Sequence, residues 1–229
     1  MKIKWYGQAC FLIESSSGLR IVTDPYTPET AGYKYVTESA HVVITSSDND
    51  KFHCRADLIS GNPDVVNALT VAQAGTDGVG SRTVHGLEVH AIEAMEALNH
   101  RFHDPDQNGM YKFTVDGISV GHMGDVGNAM SEKQTAFFKD IDVMLALTGG
   151  HPTIELDALK TFLDAIQPKL IIPMHFRTLS YKPRNIFWIQ NFLDLYDDKQ
   201  VDLACSCEAT LTKAQLPSGT RVLVIDNVS

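Results

Sequence analysis

AHVVITSSDNDKFH, residues 40–53, is an apolar run that stops abruptly in a polar loop. The part from Ala40 to Thr45 reads as a buried strand, and the part from Ser46 carries Asp48, Asp50 and His53. A rigid strand aims such a loop, which is why binding and catalytic groups gather at strand ends. Three further loops repeat the arrangement, each after an apolar strand: GHMGDVG from Gly121, LTGGHPT from Leu147 and IIPMHFRT from Ile171. If these strands lie in packed sheets, the loops converge at one edge. Asp and His meeting there make a metal site, because carboxylate and imidazole are the usual ligands of catalytic zinc, iron or manganese. Each group alone also has a plainer reading. Asp125 caps a turn, His175 is a hydrogen-bonded core histidine, and Gly149 with Gly150 forms a tight turn.

Around these loops the chain changes texture. Its first half reads as strands: KIKWY from Lys2, CFLIE from Cys10, LRIVT from Leu19, then residues 64–71, 82–84 and 87–91. A short helix is expected over 55–60, closed by Gly61, Asn62 and Pro63. MYKFTV from Met110 and ISVGH from Ile118 flank Asp116 and Gly117, a hairpin signal. Beyond residue 130, helices over 131–140, 154–166 and 185–196 alternate with strands over 141–147, 169–174, 201–204 and 221–225. Ser131 is the expected N-cap of the first of these helices. Strand-rich sheet followed by alternating helix and strand, with no composition break, points to two packed sheets covered by helices in one domain, 1–229.

With 44% hydrophobic and 21% charged residues in 229, the chain has the composition of a globular protein with a sizeable core. Nineteen basic against 28 acidic residues give a net charge of -9, which argues against a broad nucleic-acid or anionic-membrane surface. A small-molecule ligand or substrate is the expected partner. No apolar signal region opens the sequence and no run of about 18 apolar residues occurs, so a cytoplasmic location is expected. Cys10, Cys54, Cys205 and Cys207 lack paired C-x-x-C spacing and read as free thiols.

Ordered along the chain, WYGQACFLIE from Trp5, IVTDPY from Ile21, GNP from Gly61, HMGD from His122, TGG from Thr148 and IPMH from Ile172 resemble the metallo-β-lactamase superfamily. The likeness is to its bacterial metal-dependent hydrolases related to the ascorbate-6-phosphate lactonases, and it covers most of the chain. It implies an α/β fold, the four-layer αββα sandwich, with the active site along one edge. It also implies two-metal hydrolysis of an ester, lactone or phosphoester, and a tendency to self-associate.

The family's chief motif, His-x-His-x-Asp-His, is overwritten here. Aligned from the upstream strand, Ser47 and Asn49 take the places of its first two histidines, and Lys51 and Phe52 those of its Asp-His pair. Aligned backward from Gly61, Asn62 and Pro63, those four places fall on Asp48, Asp50, Phe52 and His53, which implies one inserted residue. Gln8 replaces the family's early histidine and is no strong substitute for an imidazole ligand; Glu96 matches its third metal histidine. Asp125 and His175 stand in place.

Two readings follow. In one, Asp125 and His175, with Glu96, His53, Asp48 or Asp50, hold a single divalent metal (Mn, Fe, Mg or Zn) and support altered hydrolysis. In the other, the chain is a metal-free binding or regulatory member, a pseudoenzyme, in which the ammonium of Lys51 neutralises Asp125 or Glu96. No catalytic residue is assigned. His122 and His151 are candidates for a substrate pocket, and His100 with His103 for a substitute metal arm. A metal-free triad from Ser46 or Ser47, His53 or His175, and Asp125 would have to be established by geometry.

Overall fold

Strict alternation builds the first sheet of the computed structural model, which describes residues 1–49, 51–97 and 106–228. β1 (Lys2–Gly7), β2 (Cys10–Glu14) and β3 (Arg20–Thr23) form an antiparallel meander. Ile3, Trp5, Phe11, Ile13 and Ile21 enter one core, whereas Tyr6, Cys10, Leu12 and Val22 enter a second. A strand covered on both faces by different layers requires this period of two. After the single turn α1 (Pro28–Ala31), β4 (Val42–Thr45) and β5 (Asp64–Asn67) extend the sheet in parallel.

α2 (Ala68–Gln73) follows at once, because the Asn67 side chain accepts from the Thr70 N–H at 3.1 Å and caps it. The strand expected over 64–71 therefore ends at Asn67. The helix expected over 55–60 is only a 3₁₀ turn, Ala56–Leu58, since the glycine at 61, at φ 98°, leaves no room for a second turn.

β6 (Val79–Val84), β7 (Leu87–Ala97), β8 (Asp106–Val115) and β9 (Ile118–His122) are successive antiparallel neighbours. Asp116 and Gly117, at φ 52° and 75°, make the left-handed turn that the β8–β9 hairpin needs. Then come α3 (Glu132–Phe137), β10 (Val143–Leu147), α4 (Leu156–Ile166) and β11 (Leu170–Met174). α5 (Ile189–Leu193), β12 (Val201–Leu203), β13 (Glu208–Thr210) and β14 (Arg221–Val224) complete the described elements. β9, β10, β11 and β14 run parallel.

The sheet orders are β13-β1-β2-β3-β4-β5 and β12-β14-β11-β10-β9-β8-β7-β6. One continuous core holds Trp5, Phe11 and Ile44 of the first sheet with Tyr111, Val120 and Leu145 of the second. Leu159, Phe162, Leu163 and Ile166 of α4 join it from one helix face. The expected α/β sandwich of two sheets is thus realised. Among the described residues, no helix is long and apolar enough to cross a membrane.

The helix expected over 185–196 shrinks to α5. Phe187 and Trp188 are held extended: the Phe187 N–H donates to the Gly149 carbonyl at 2.7 Å, and Trp188 bridges Arg177. At α3 the expected N-cap is present as a capping box, with Ser131 and Gln134 exchanging side-chain and backbone bonds. Ser131→Ala is expected to lower stability by about 1 kcal/mol, read as a lower urea midpoint at unchanged slope.

Candidate metal centre

Three parallel neighbours, β9, β10 and β11, end at the same edge of the second sheet and release the loops that begin at Met123, Thr148 and His175. β3 and β4, parallel in the first sheet, release Asp24 and Ser46. Carboxyl ends of parallel strands are where open α/β sheets bind ligands. The two sheets are tied together at this edge. His175 donates its backbone N–H to the Gln8 carbonyl at 3.0 Å, and Gly109 donates to the Ser46 carbonyl at 2.8 Å.

A buried carboxylate organises the seam. Asp24, fully buried, accepts from the Ser46 N–H at 2.5 Å and from the Tyr111 hydroxyl at 3.2 Å. Burial pushes its carboxyl up to about 7, although the positive potential of His53 and the Ser46 bonds oppose the rise. His122, also fully buried, has its Nε2 at 2.9 Å from the Ala9 carbonyl and accepts from the Gly124 N–H at Nδ1. Nε2 therefore carries the proton. Burial pulls its pKa down to about 3, which keeps the ring neutral, stacked on Tyr111 with centroids 4.6 Å apart. His122 is thus not a pocket residue as expected, but a neutral strut between the sheets.

Asn108 and two glycines fix the loop after β9. The fully buried Asn108 accepts the Asp125 N–H at 3.1 Å. Gly124 sits at φ 61°, and a Cβ there would meet Asn108 Oδ1 at 2.6 Å. At Gly127 a Cβ would lie 1.9 Å from the Glu96 carbonyl oxygen. These glycines in GDVG serve close backbone approach.

His53, Asp125 and His175, all buried, bring one ligand atom each to within 4.8 Å of the others. His53 Nδ1 stands 3.4 Å from Asp125 Oδ2, and His175 Nε2 stands 3.4 Å from Asp125 Oδ1. Both separations are long for a charge-assisted hydrogen bond, and Oδ1 is buried without a hydrogen-bond partner. Two ligands each about 2.0–2.1 Å from a tetrahedral ion stand roughly 3.4 Å apart. The spacing therefore fits atoms directed at a shared cation. Two imidazoles and a carboxylate are also a recurrent set for iron and for catalytic zinc.

The overwritten motif is distributed otherwise. Of the two registers, the backward one places His53 on the family's last histidine, and His53 is the residue that reaches Asp125. Ser47, buried, donates its hydroxyl to Asn49 Oδ1 at 2.6 Å. Asp48 is exposed, and the Phe52 ring is tilted beside that of His53, centroids 6.3 Å apart. Glu96, half-buried on the irregular end of β7, is not in the cluster. His151 is exposed, 3.8 Å from Glu155. Asp50, His100 and His103 lie outside the described residues. None of the four cysteines forms a disulfide.

Lys51 does not take the substitute-cation role expected in the metal-free reading. Its side chain is exposed and its backbone carbonyl accepts the Thr27 N–H at 2.8 Å, while His53 and His175 flank Asp125 in the place proposed for its ammonium. Lys51→Ala is accordingly expected to change stability by no more than about 0.5 kcal/mol, checked by urea unfolding. A loss of several times that would restore the substitute-cation role.

Comparison with known proteins agrees with this architecture. The family described as the beta-lactamase superfamily domain matches residues 2–175. A UPF0173 metal-dependent hydrolase of Thermoplasma acidophilum is 27% identical over 194 residues, covering 78% of this chain and 84% of that protein. A UPF0173 protein of Pyrococcus abyssi is 28% identical over 183 residues, covering 78% and 84%. A solved structure of a metallo-beta-lactamase superfamily protein from Thermotoga maritima superposes with a TM-score of 0.75 at 30% identity, covering 99% of both chains. With a family match across most of its length and this structural likeness behind the two-sheet sandwich, the chain belongs to the metallo-β-lactamase superfamily.

Proposed function

We propose that this protein is a single-metal hydrolase of reduced or altered reactivity, with His53, Asp125 and His175 holding one divalent ion. The observation that carries the reading is the buried cluster, in which an imidazole nitrogen of each histidine stands 3.4 Å from a different oxygen of Asp125, the spacing of ligands around a shared ion. A divalent ion there would supply Lewis acidity and an activated water for hydrolysis. The two-imidazole, one-carboxylate set favours iron, manganese or zinc over magnesium, which prefers oxygen ligands throughout.

The chain's own residues account for the rest. Asn108 fixes the Asp125 backbone, and the His175 N–H is tied to Gln8. Asp24 fixes Ser46, from which the loop to His53 departs. The Ser47 hydroxyl is engaged with Asn49 Oδ1 and is not a member of the cluster. One ion instead of two is consistent with weakened hydrolysis.

Esters, lactones and phosphoesters are the proposed substrates, on the sequence likeness to the ascorbate-6-phosphate lactonases and on the metal-dependent hydrolase named in Thermoplasma acidophilum. A small-molecule substrate, a cytoplasmic location and self-association belong to the same proposal. The test is elemental analysis of protein purified without chelator, beside turnover of an ester, a lactone and a phosphodiester. About one equivalent of metal, lost in Asp125→Ala, with metal-dependent turnover, is expected. No bound metal after supply of Mn²⁺, Fe²⁺ and Zn²⁺ would overturn the reading.

A further inference from the structure

We infer that Gln8 supplies a further ligand to that ion through its carboxamide oxygen, an inference that rests on the single-metal reading. Gln8 occupies the tight connection between β1 and β2 at φ 50°, a conformation few side-chain-bearing residues adopt without cause. Its carbonyl receives two N–H groups, from His175 and from the Trp5 indole, each at 3.0 Å. The Gln8 backbone is thereby fastened directly to one member of the cluster.

The side chain is 1% exposed, and its Oε1 is buried without a hydrogen-bond partner. The Tyr181 phenol feels the Gln8 carboxamide and the Asp125 carboxylate together, and the Tyr181 ring lies 6.5 Å from the His175 ring. The phenol's own proton goes to Asn185 Oδ1 at 3.3 Å, so it does not serve Gln8 Oε1. Asp125 Oδ1 likewise accepts no hydrogen bond. Buried polar atoms seldom go unpaired, and here two acceptor oxygens do so, one on Asp125 beside His175 and one on the residue whose carbonyl holds the His175 N–H.

A cation answers both at once. Side-chain carboxamide oxygens are regular ligands of harder divalent ions. A neutral oxygen added to two imidazoles and one carboxylate makes a mixed nitrogen and oxygen set of the kind manganese and iron accept. Gln8 is therefore a weak replacement for an imidazole but a serviceable oxygen ligand. This assigns a role to the GQAC departure that the family pattern leaves without one.

The experiment is isothermal titration of metal-stripped wild-type, Gln8→Leu and Gln8→Glu proteins with Mn²⁺, together with the visible absorption of each with Co²⁺. Thermal unfolding without metal checks that each variant folds. Expected are a Kd raised about tenfold or more in Gln8→Leu, a changed Co²⁺ band pattern, and tighter binding in Gln8→Glu. Equal affinities and identical Co²⁺ spectra across the three would overturn the inference while leaving the three-residue site intact. Should Gln8→Leu not fold, an unchanged Gln8→Glu would do the same. Wild-type protein that binds neither ion would overturn both this inference and the reading it rests on.

Discussion

Asp125→Asn is expected to weaken Mn²⁺ or Fe²⁺ binding by at least about 100-fold, because it removes the negative charge shared by both histidines. Asp125 stands 3.4 Å from each of the other two members of the described cluster: Oδ2 faces His53 and Oδ1 faces His175. Loss of a supporting residue around a metal ligand typically costs 10–100-fold, and loss of a charged ligand itself should exceed that range. The amide keeps the size of the side chain, and the Asp125 backbone stays fixed by Asn108. A fall in affinity would then report charge and not collapse of the loop. Calorimetry on metal-stripped protein, with unfolding curves as a check on the fold, reads the difference. An asparagine variant that binds as tightly as wild type would remove the cluster from consideration as a metal site.

How much of this was legible in the sequence differs between fold and site. The first sheet could be read because alternate residues of β1 to β4 face two separate cores, so the pattern has an unambiguous period. The β8–β9 hairpin was equally plain, since Asp116 and Gly117 are the residue types its turn geometry demands. α2 was hidden, because ALTVAQ is apolar enough to pass as a strand and only the Asn67 cap separates the two. The parallel pairing of β3, β4 and β5 left no local mark at all, as register with distant strands is a tertiary property.

The site was half legible. Asp125 and His175 were found because each stands directly after a short apolar strand, and His53 was found through one of two registers. What decided between the registers was distance in space, which spacing alone does not encode. Asn108 carries no signal in the sequence because it lies within a strand in a run of no special composition, QNGM, and its importance comes from a side-chain carbonyl aimed at the Asp125 N–H. The role of His122 is ambiguous in sequence for a related reason. A histidine beside a functional loop looks the same in sequence whether it lines a pocket or supports one, and its fully buried ring settles the matter.

Asp24→Asn is expected to change the pH dependence of stability on both sides of neutrality. In the folded protein the Asp24 carboxyl titrates near 7, against about 3.9 in an unfolded chain. Its contribution is therefore fully present below about pH 4 and is lost as pH rises through 7. His122 runs oppositely. Folded it titrates near 3, against about 6.5 unfolded, so its contribution is fully present above about pH 6.5 and is lost as pH falls through 3. Between about pH 4 and 6.5 the two slopes cancel, because folding moves one proton from the histidine to the aspartate without changing the number bound. Asparagine resembles the protonated aspartate: its carbonyl can still accept the Ser46 N–H, and its amide can donate towards Tyr111 or His122. With the aspartate term gone, the variant should lose stability below pH 6.5 at about 1.4 kcal/mol per unit, where wild type stays flat. Above pH 7 the variant no longer buries an ionised carboxylate and should exceed wild type by something on the order of 4 kcal/mol. Urea unfolding of both proteins at pH 4.5, 6 and 8 separates the cases, since curves that stay parallel across this range would mean that Asp24 is already ionised in the folded state.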